Sequence, residues 1–179
     1  MYIWTAIDVD RQLLELRECA KKASLELGVS NPALTLPLHI SLKISTEIND
    51  DCFDEAVEAI NEYFLSLLPF EIEVTGIERC DGVVWVRHRE NEFLSKIHLW
   101  LVDFFYQRYG VMPHEFDLDF AYHSSLFVGS EDEAKAAFEL LKDRETPRKL
   151  IAEKFIIGCS ESGKAGEYRV IKTTPDLKG

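Results

Sequence analysis

The feature that most constrains this chain is a short stretch that occurs twice. Leu36-Pro37-Leu38-His39-Ile40-Ser41-Leu42-Lys43 and Phe120-Ala121-Tyr122-His123-Ser124-Ser125-Leu126-Phe127 each hold His-x-Ser-Leu inside an apolar, strand-like run. Successive side chains on a strand point to opposite faces. His39 and Ser41 therefore share one face and Ile40 and Leu42 the other, and His123 with Ser125 repeats the pattern. A single strand histidine is usually packed or solvated. Two in identical local context are poorly explained by coincidence. A groove between the segments that carry them would hold two groups titrating near neutral pH and two hydroxyl donors, equipment for moving protons around a phosphate.

The remaining periodicities surround these strands with an α+β pattern. Tyr2 to Ile7 is aromatic and β-branched and reads as a buried strand ending at Asp8. Leu13, Leu16, Ala20, Ala23 and Leu27 recur at helical spacing, with Asp10 as N-cap and Gly28 where a C-terminal cap belongs. Asn31-Pro32 turns the chain into the first His-x-Ser strand. A second helix carries Phe53, Val57, Ile60, Phe64 and Leu67 behind the capping acids of Asn49-Asp50-Asp51, and Pro69 closes it. Phe70 to Val74 alternates as a strand, and Asp81-Gly82 reads as a hairpin turn into Val83 to Arg87. A third helix is expected from about Glu92 to Tyr109, ended by Gly110. A fourth starts at the Ser130 to Glu133 capping box. Lys149 to Cys159 and Tyr168 to Lys172 then close the chain as strands around a Ser160 to Gly166 turn.

Each half thus reads strand, helix, His strand, helix, strand. The expectation is a single two-lobed domain over residues 1–179 with an internal repeat, first copy about 1–80 and second about 81–179. Helices cover one face of each sheet and the opposite faces form a groove.

A chain of 179 residues with 46% hydrophobic content can bury a real core. A formal charge of −12 argues against gripping long nucleic acid through a basic face, and leaves a short or terminal nucleotide open. Cys19, Cys52, Cys80 and Cys159 are scattered without C-x-x-C spacing, so neither a zinc site nor a disulfide framework is indicated. Reduced, mostly buried thiols are expected. The N-terminus has no basic region leading into a long apolar core, and no apolar run is long enough to span a membrane. The reading is cytoplasmic, monomeric and without a membrane partner.

Among the other candidates, Lys43 shares the face of His39 and Ser41 and offers a cation to the same site, against the alternative of a solvated strand end. Phe127 occupies the equivalent place in the second copy, where it would stack on a base or pack in the core. Tyr122 faces away from His123 by alternation. His88, His98 and His114 share no ligand spacing with each other or with the paired histidines. Glu131 to Glu133 is better read as helix capping than as a metal site.

On these residues the chain resembles the 2H phosphoesterases, which include RNA 2′,3′-cyclic phosphodiesterases and 2′-5′ RNA ligase-like proteins. The family's two His-x-Thr/Ser motifs correspond here to His39-Ile40-Ser41 and His123-Ser124-Ser125. The similarity extends to the opening strand ending in Ile7-Asp8, the Pro69-Phe70 strand entry, Ser160-Glu161 and Gly166-Glu167-Tyr168. It implies a metal-independent phosphoesterase with no cofactor, acting on a cyclic phosphate or 2′-5′ phosphodiester of RNA ends or small nucleotides. His39 would be acid and His123 base, with Ser41 and Ser125 as phosphate donors and Lys43, Phe127 and Tyr168 as substrate-binding candidates. Three departures stand out. Serine replaces the commoner threonine in both motifs, Phe127 stands where a basic residue is frequent, and Tyr122 replaces a frequent proline or histidine. The alternative is a non-catalytic module on the same fold that binds a nucleotide or phosphorylated ligand.

Overall fold

The computed structural model describes residues 1–177, which form nine strands and four α-helices. In order these are β1 (Tyr2–Asp8), α1 (Leu14–Leu27), β2 (His39–Ser41), β3 (Thr46–Glu47), α2 (Phe53–Leu65), β4 (Phe70–Cys80), β5 (Val83–His88), α3 (Glu92–Tyr109), β6 (His123–Val128), α4 (Glu131–Leu141), β7 (Lys149–Ala152), β8 (Phe155–Ser160) and β9 (Arg169–Thr173). The strands build two antiparallel sheets. One runs β2-β1-β8-β9 with β3 also on β1, and the other runs β6-β5-β4-β7.

The sheets do not follow the sequence halves. β4, from the first half, lies in the second sheet beside β5, and β8 and β9 return to the first sheet beside β1. The run expected as one strand from Lys149 to Cys159 is two, β7 on β4 and β8 on β1. The two lobes therefore exchange strands, and each sheet draws on both halves of the described chain. Both sheets nevertheless place their His strand at one edge.

The helices interleave in the same way. α1 and α4 pack against the second sheet, α2 packs on β8, and α3 reaches the residue just after β2 through a hydrogen bond from His98 to the Leu42 carbonyl. One core cluster joins Leu16 and Ala20 of α1, Ile60 and Phe64 of α2, Leu101 and Phe105 of α3, and Ala137 and Leu141 of α4 to Ile7, Ile40, Val86 and Leu126 of the sheets. Burying each such aliphatic or aromatic side chain is worth about 1.5–3 kcal/mol.

Several sequence signals act as expected. Ser130 and Glu133 form a reciprocal capping box, and Gly110 ends α3 in the left-handed conformation. Asp10 does not cap α1. Its carboxylate accepts from the Leu38 backbone at 2.8 Å and pairs with Arg17, fixing the segment ahead of His39. Cys159 is buried and Cys80 exposed, so the thiols are not uniformly interior. No helix among the described residues is long and apolar enough to cross a membrane.

Two contacts fix the site from the fold side. A Cβ on Gly158 would come within 2.4 Å of the Trp4 ring and 2.9 Å of the Arg169 carbonyl, so glycine there admits the indole that flanks His39. Asn31, just after α1, donates to the Leu126 carbonyl at 2.9 Å and accepts from the Val128 backbone at 3.2 Å. It therefore spans the bulge in β6, where the pairing with β5 shifts register between Val84 and Trp85.

Gly158→Ala is expected to lower stability by about 1–3 kcal/mol through overpacking against Trp4. Urea unfolding followed by tryptophan fluorescence measures it, and an unchanged midpoint would contradict the close approach.

Candidate active site

His39 opens β2 and His123 opens β6, each at the edge of its sheet. Both rings are half-buried and held the same way. His39 Nδ1 lies 2.8 Å from the Pro37 carbonyl, and His123 Nδ1 lies 2.7 Å from the Ala121 carbonyl. A carbonyl can only accept, so Nδ1 carries the proton in each ring and Nε2 is free for proton exchange. Each imidazole also rests on an indole with ring centroids 4.4 Å apart, Trp4 edge-on to His39 and Trp85 tilted against His123.

His39, Ser41, His123 and Ser125 line one cavity of about 370 Å³ between the two sheets. Its walls include Trp4, Leu36, Ile44, Phe120, Val128 and Tyr168. The Trp4 indole N–H donates to Ser41 Oγ at 3.2 Å, leaving the serine's own hydroxyl proton to be donated elsewhere. Tyr168 donates to Ser45 Oγ at 2.6 Å, with the Gly163 carbonyl at 3.2 Å as a second acceptor, and packs edge-on to Trp4. It thereby ties the Gly163–Tyr168 segment over the cavity.

Two expected substrate-binding residues are placed differently. Lys43 contributes to the wall, but its ammonium is buried. It donates to Asp117 Oδ2 at 3.0 Å and Thr46 Oγ1 at 2.9 Å and sits over the Phe105 ring, so its charge is committed away from any ligand. Phe127 is fully buried in the core. The bulge in β6 breaks the strict alternation on which its outward placement depended. Val128 takes the cavity-facing position instead.

The Lys43–Asp117 pair was not legible from sequence, because its partners stand 74 residues apart. Asp117 also accepts from the Ile44 and His114 backbones, and its carbonyl meets His98 Nε2 at 3.0 Å. His98 in turn stacks on Phe120, a cavity wall residue. Breaking such a buried pair costs about 3–5 kcal/mol. Hence Lys43, His98, His114 and Asp117 hold the loop that positions Phe120 and the start of β6. Lys43 is the one charged residue lining the cavity among the described residues.

Electrostatics keep the imidazoles neutral in the free protein. Burial, reinforced by nearby His123, pushes His39 down to about 4, against the raising effect of the Pro37 carbonyl and of Asp8 and Asp10. Burial also lowers His123, helped by Arg87 and opposed by the Ala121 carbonyl. The flanking charges thus differ in sign. Carboxylates beside His39 favour its protonated form, and a guanidinium beside His123 disfavours it. Among the described residues no cluster of histidine, cysteine or carboxylate side chains is placed to hold a metal.

No family model matches the sequence, and no curated protein matches it by sequence. Solved structures do. TT0787 of Thermus thermophilus superposes with a TM-score of 0.61 at 18% identity, covering 97% of this chain and 96% of that one. Escherichia coli LigT complexed with 3′-AMP gives 0.54 at 15% identity and 98% of both chains. Kluyveromyces marxianus Usb1 gives 0.51 at 13% identity and 97% of both. The chain has the 2H phosphoesterase fold. In that fold the sheets meet at the cavity that holds His39 and His123.

Behind the site, His88 is buried, with Nε2 2.9 Å from Ser124 Oγ, and burial together with His123 and Arg87 pushes it down to about 3. A neutral buried histidine with an unfolded value near 6.5 stabilises fully above that pH. The stability is lost as pH falls through the window from about 6.5 towards 3, because the unfolded chain takes up a proton there and the folded one does not. Melting temperature should therefore drop on acidification across this window, and His88→Asn should flatten the drop; an identical slope in that variant would contradict the assignment.

Proposed function

We propose that the protein is a 2H phosphoesterase, a metal-independent hydrolase of a 2′,3′-cyclic phosphate or 2′-5′ phosphodiester at an RNA end or in a small nucleotide. One observation carries this reading: two imidazoles, each with Nδ1 committed to a backbone carbonyl, open onto the same cavity beside two serine hydroxyls. The fold likeness supports it, as do the crystal forms of LigT that hold 3′-AMP and phosphate.

In the proposed reaction water attacks phosphorus in line with the departing ribose oxygen. His123 Nε2 takes the water proton, the new P–O bond forms, and the bond to the ribose oxygen breaks as His39 delivers a proton to it. A cyclic phosphate becomes a phosphomonoester, and solvent exchange resets the two rings. The acid and base roles follow the family resemblance; the carboxylates beside His39 act in favour of this assignment, and the burial that depresses His39 acts against it. Ser41 and Ser125 donate to the non-bridging oxygens, where the developing charge gathers. Since the cavity lining offers no uncommitted cation, the substrate's negative charge is met by protonation of an imidazole, so ligand and proton bind together.

A nucleoside 2′,3′-cyclic phosphate, tested beside 2′-5′-linked dinucleotides, is the first substrate to try. His39→Ala and His123→Ala should each lower kcat on the hydrolysed substrate by about 10²–10⁴-fold with the fold retained; turnover near the wild-type rate in either would refute the paired mechanism. The pH profile should be bell-shaped, because one ring must be neutral and the other charged. Its kcat form should be displaced to higher pH than kcat/KM, since the bound phosphoryl anion raises the imidazole values. A flat profile between about pH 5 and 8 contradicts this. The −12 charge and the apolar Val128 at the cavity-facing position of β6 favour, as second reading, a binding module, which thermal stabilisation by these ligands without product would establish.

A further inference from the structure

The outward face of β5 continues the site beyond the cavity. Directly opposed residues in an antiparallel ladder share a face. Arg87 is paired with His123 and Trp85 with Ser125, so these four side chains stand on the same side of the second sheet. Val84, Val86 and His88 alternate with them and are buried in the core side.

Two donors on this face have no protein partner. Arg87 makes no ion pair or side-chain hydrogen bond among the described residues, although Glu73, Glu78 and Glu90 are near in sequence or across the ladder. Arg89 takes Glu73, Glu90 accepts from Ser95, and Glu78, opposite Trp85 on β4, is exposed. The Trp85 indole N–H is buried and unbonded. That is costly for a native donor, whereas its counterpart in the first sheet, Trp4, donates to Ser41. The surface beside Arg87 is open. Gly76 is paired with Arg87 on the other side, at a bulge with φ +142°, and a Cβ there would meet nothing within 4 Å. Thr75 and Glu78 next to it on β4 are exposed.

Resting on the phosphoesterase reading for the identity of its ligand, we propose that this face is a second anion subsite. In it the Arg87 guanidinium holds a further phosphate of the substrate, one nucleoside away from the group bound between the histidines, and the Trp85 N–H, closed to solvent in the free protein, joins it as the indole turns with the bound ligand. The substrate class is then a nucleotide with two phosphates, the second being either a 5′-phosphate or an internucleotide phosphodiester. A guanidinium suits a phosphate through two parallel N–H donors, and one such contact is compatible with the acidic charge that excludes a long polyanion.

The test is calorimetric binding of adenosine 3′-phosphate and adenosine 3′,5′-bisphosphate to the wild type, Arg87→Met and Trp85→Phe, with melting temperatures as the control on folding. The wild type should bind the bisphosphate about tenfold tighter or more, as charge-assisted hydrogen bonds warrant, and Arg87→Met should cut that preference to about threefold or less. Trp85→Phe, which keeps the ring and removes the N–H, should reduce it in part. Equal affinity for the two nucleotides in the wild type, no binding of either, or a preference that survives Arg87→Met overturns the subsite. Kinetics on adenosine 2′,3′-cyclic phosphate, its 5′-phosphorylated form and a dinucleotide ending in the cyclic phosphate distinguish the two sources of the second phosphate. An Arg87-dependent binding preference without hydrolysis of any of them keeps the subsite and removes the phosphoesterase reading.

Discussion

Everything at the site depends on a hydrogen bond made twice, from a histidine Nδ1 to the carbonyl two residues earlier. It fixes the tautomer, sets the ring plane and leaves Nε2 as the exchangeable nitrogen. A strand edge that begins at the histidine gives this geometry readily: the Leu38 and Tyr122 carbonyls still accept from the Val9 and His88 backbones, and the carbonyls one residue earlier accept from the rings. Pro37 and Ala121 occupy that place in the two strands. The indoles of Trp4 and Trp85 then wall each ring from the side, so burial and orientation come from the same contacts.

Bringing the two edges together is the work of interleaving. Neither sequence half makes a sheet of its own, because β4 crosses to the second sheet and β8 with β9 cross back. Long-range polar contacts then set the distance across the cavity. Asn31 holds the bulge of β6 from a loop whose neighbours, Pro32 and Leu36, line the cavity, and Asp117 holds the end of the first His strand through Lys43 and Ile44. A cavity built this way has walls from both sheets and little freedom to spread, which is what proton transfer over hydrogen-bond distance requires.

The sequence carried the α+β order, the four helices with the caps at Gly28, Gly110 and Ser130, and the two histidine strands, because those depend on local period and local chemistry, whereas the Asp10 cap and the extension of α2 to Leu67 did not hold. Gly110, Ser130 and Glu133 sit where spacing puts them. It did not carry the exchange of strands, since Phe70 to Cys80 is equally good β structure in either sheet. Lys43 misled because alternation reports a side chain's direction and says nothing of a carboxylate 74 residues away. Phe127 misled for a different reason. A one-residue bulge inverts every later position, and the Asn31 bridge that sustains it is invisible in the strand itself. Trp4 and Arg87 went unremarked as site residues because each reaches its histidine only across a ladder.

The claim that two imidazoles act on one phosphoryl group is tested most directly by following the ring nitrogens of His39 and His123 by nitrogen-15 NMR while adenosine 3′-phosphate is added. Both Nε2 resonances should move and half-saturate at the same nucleotide concentration, with proton uptake at one of the two rings. Movement of one ring alone, or of the two at different concentrations, would contradict a shared phosphate.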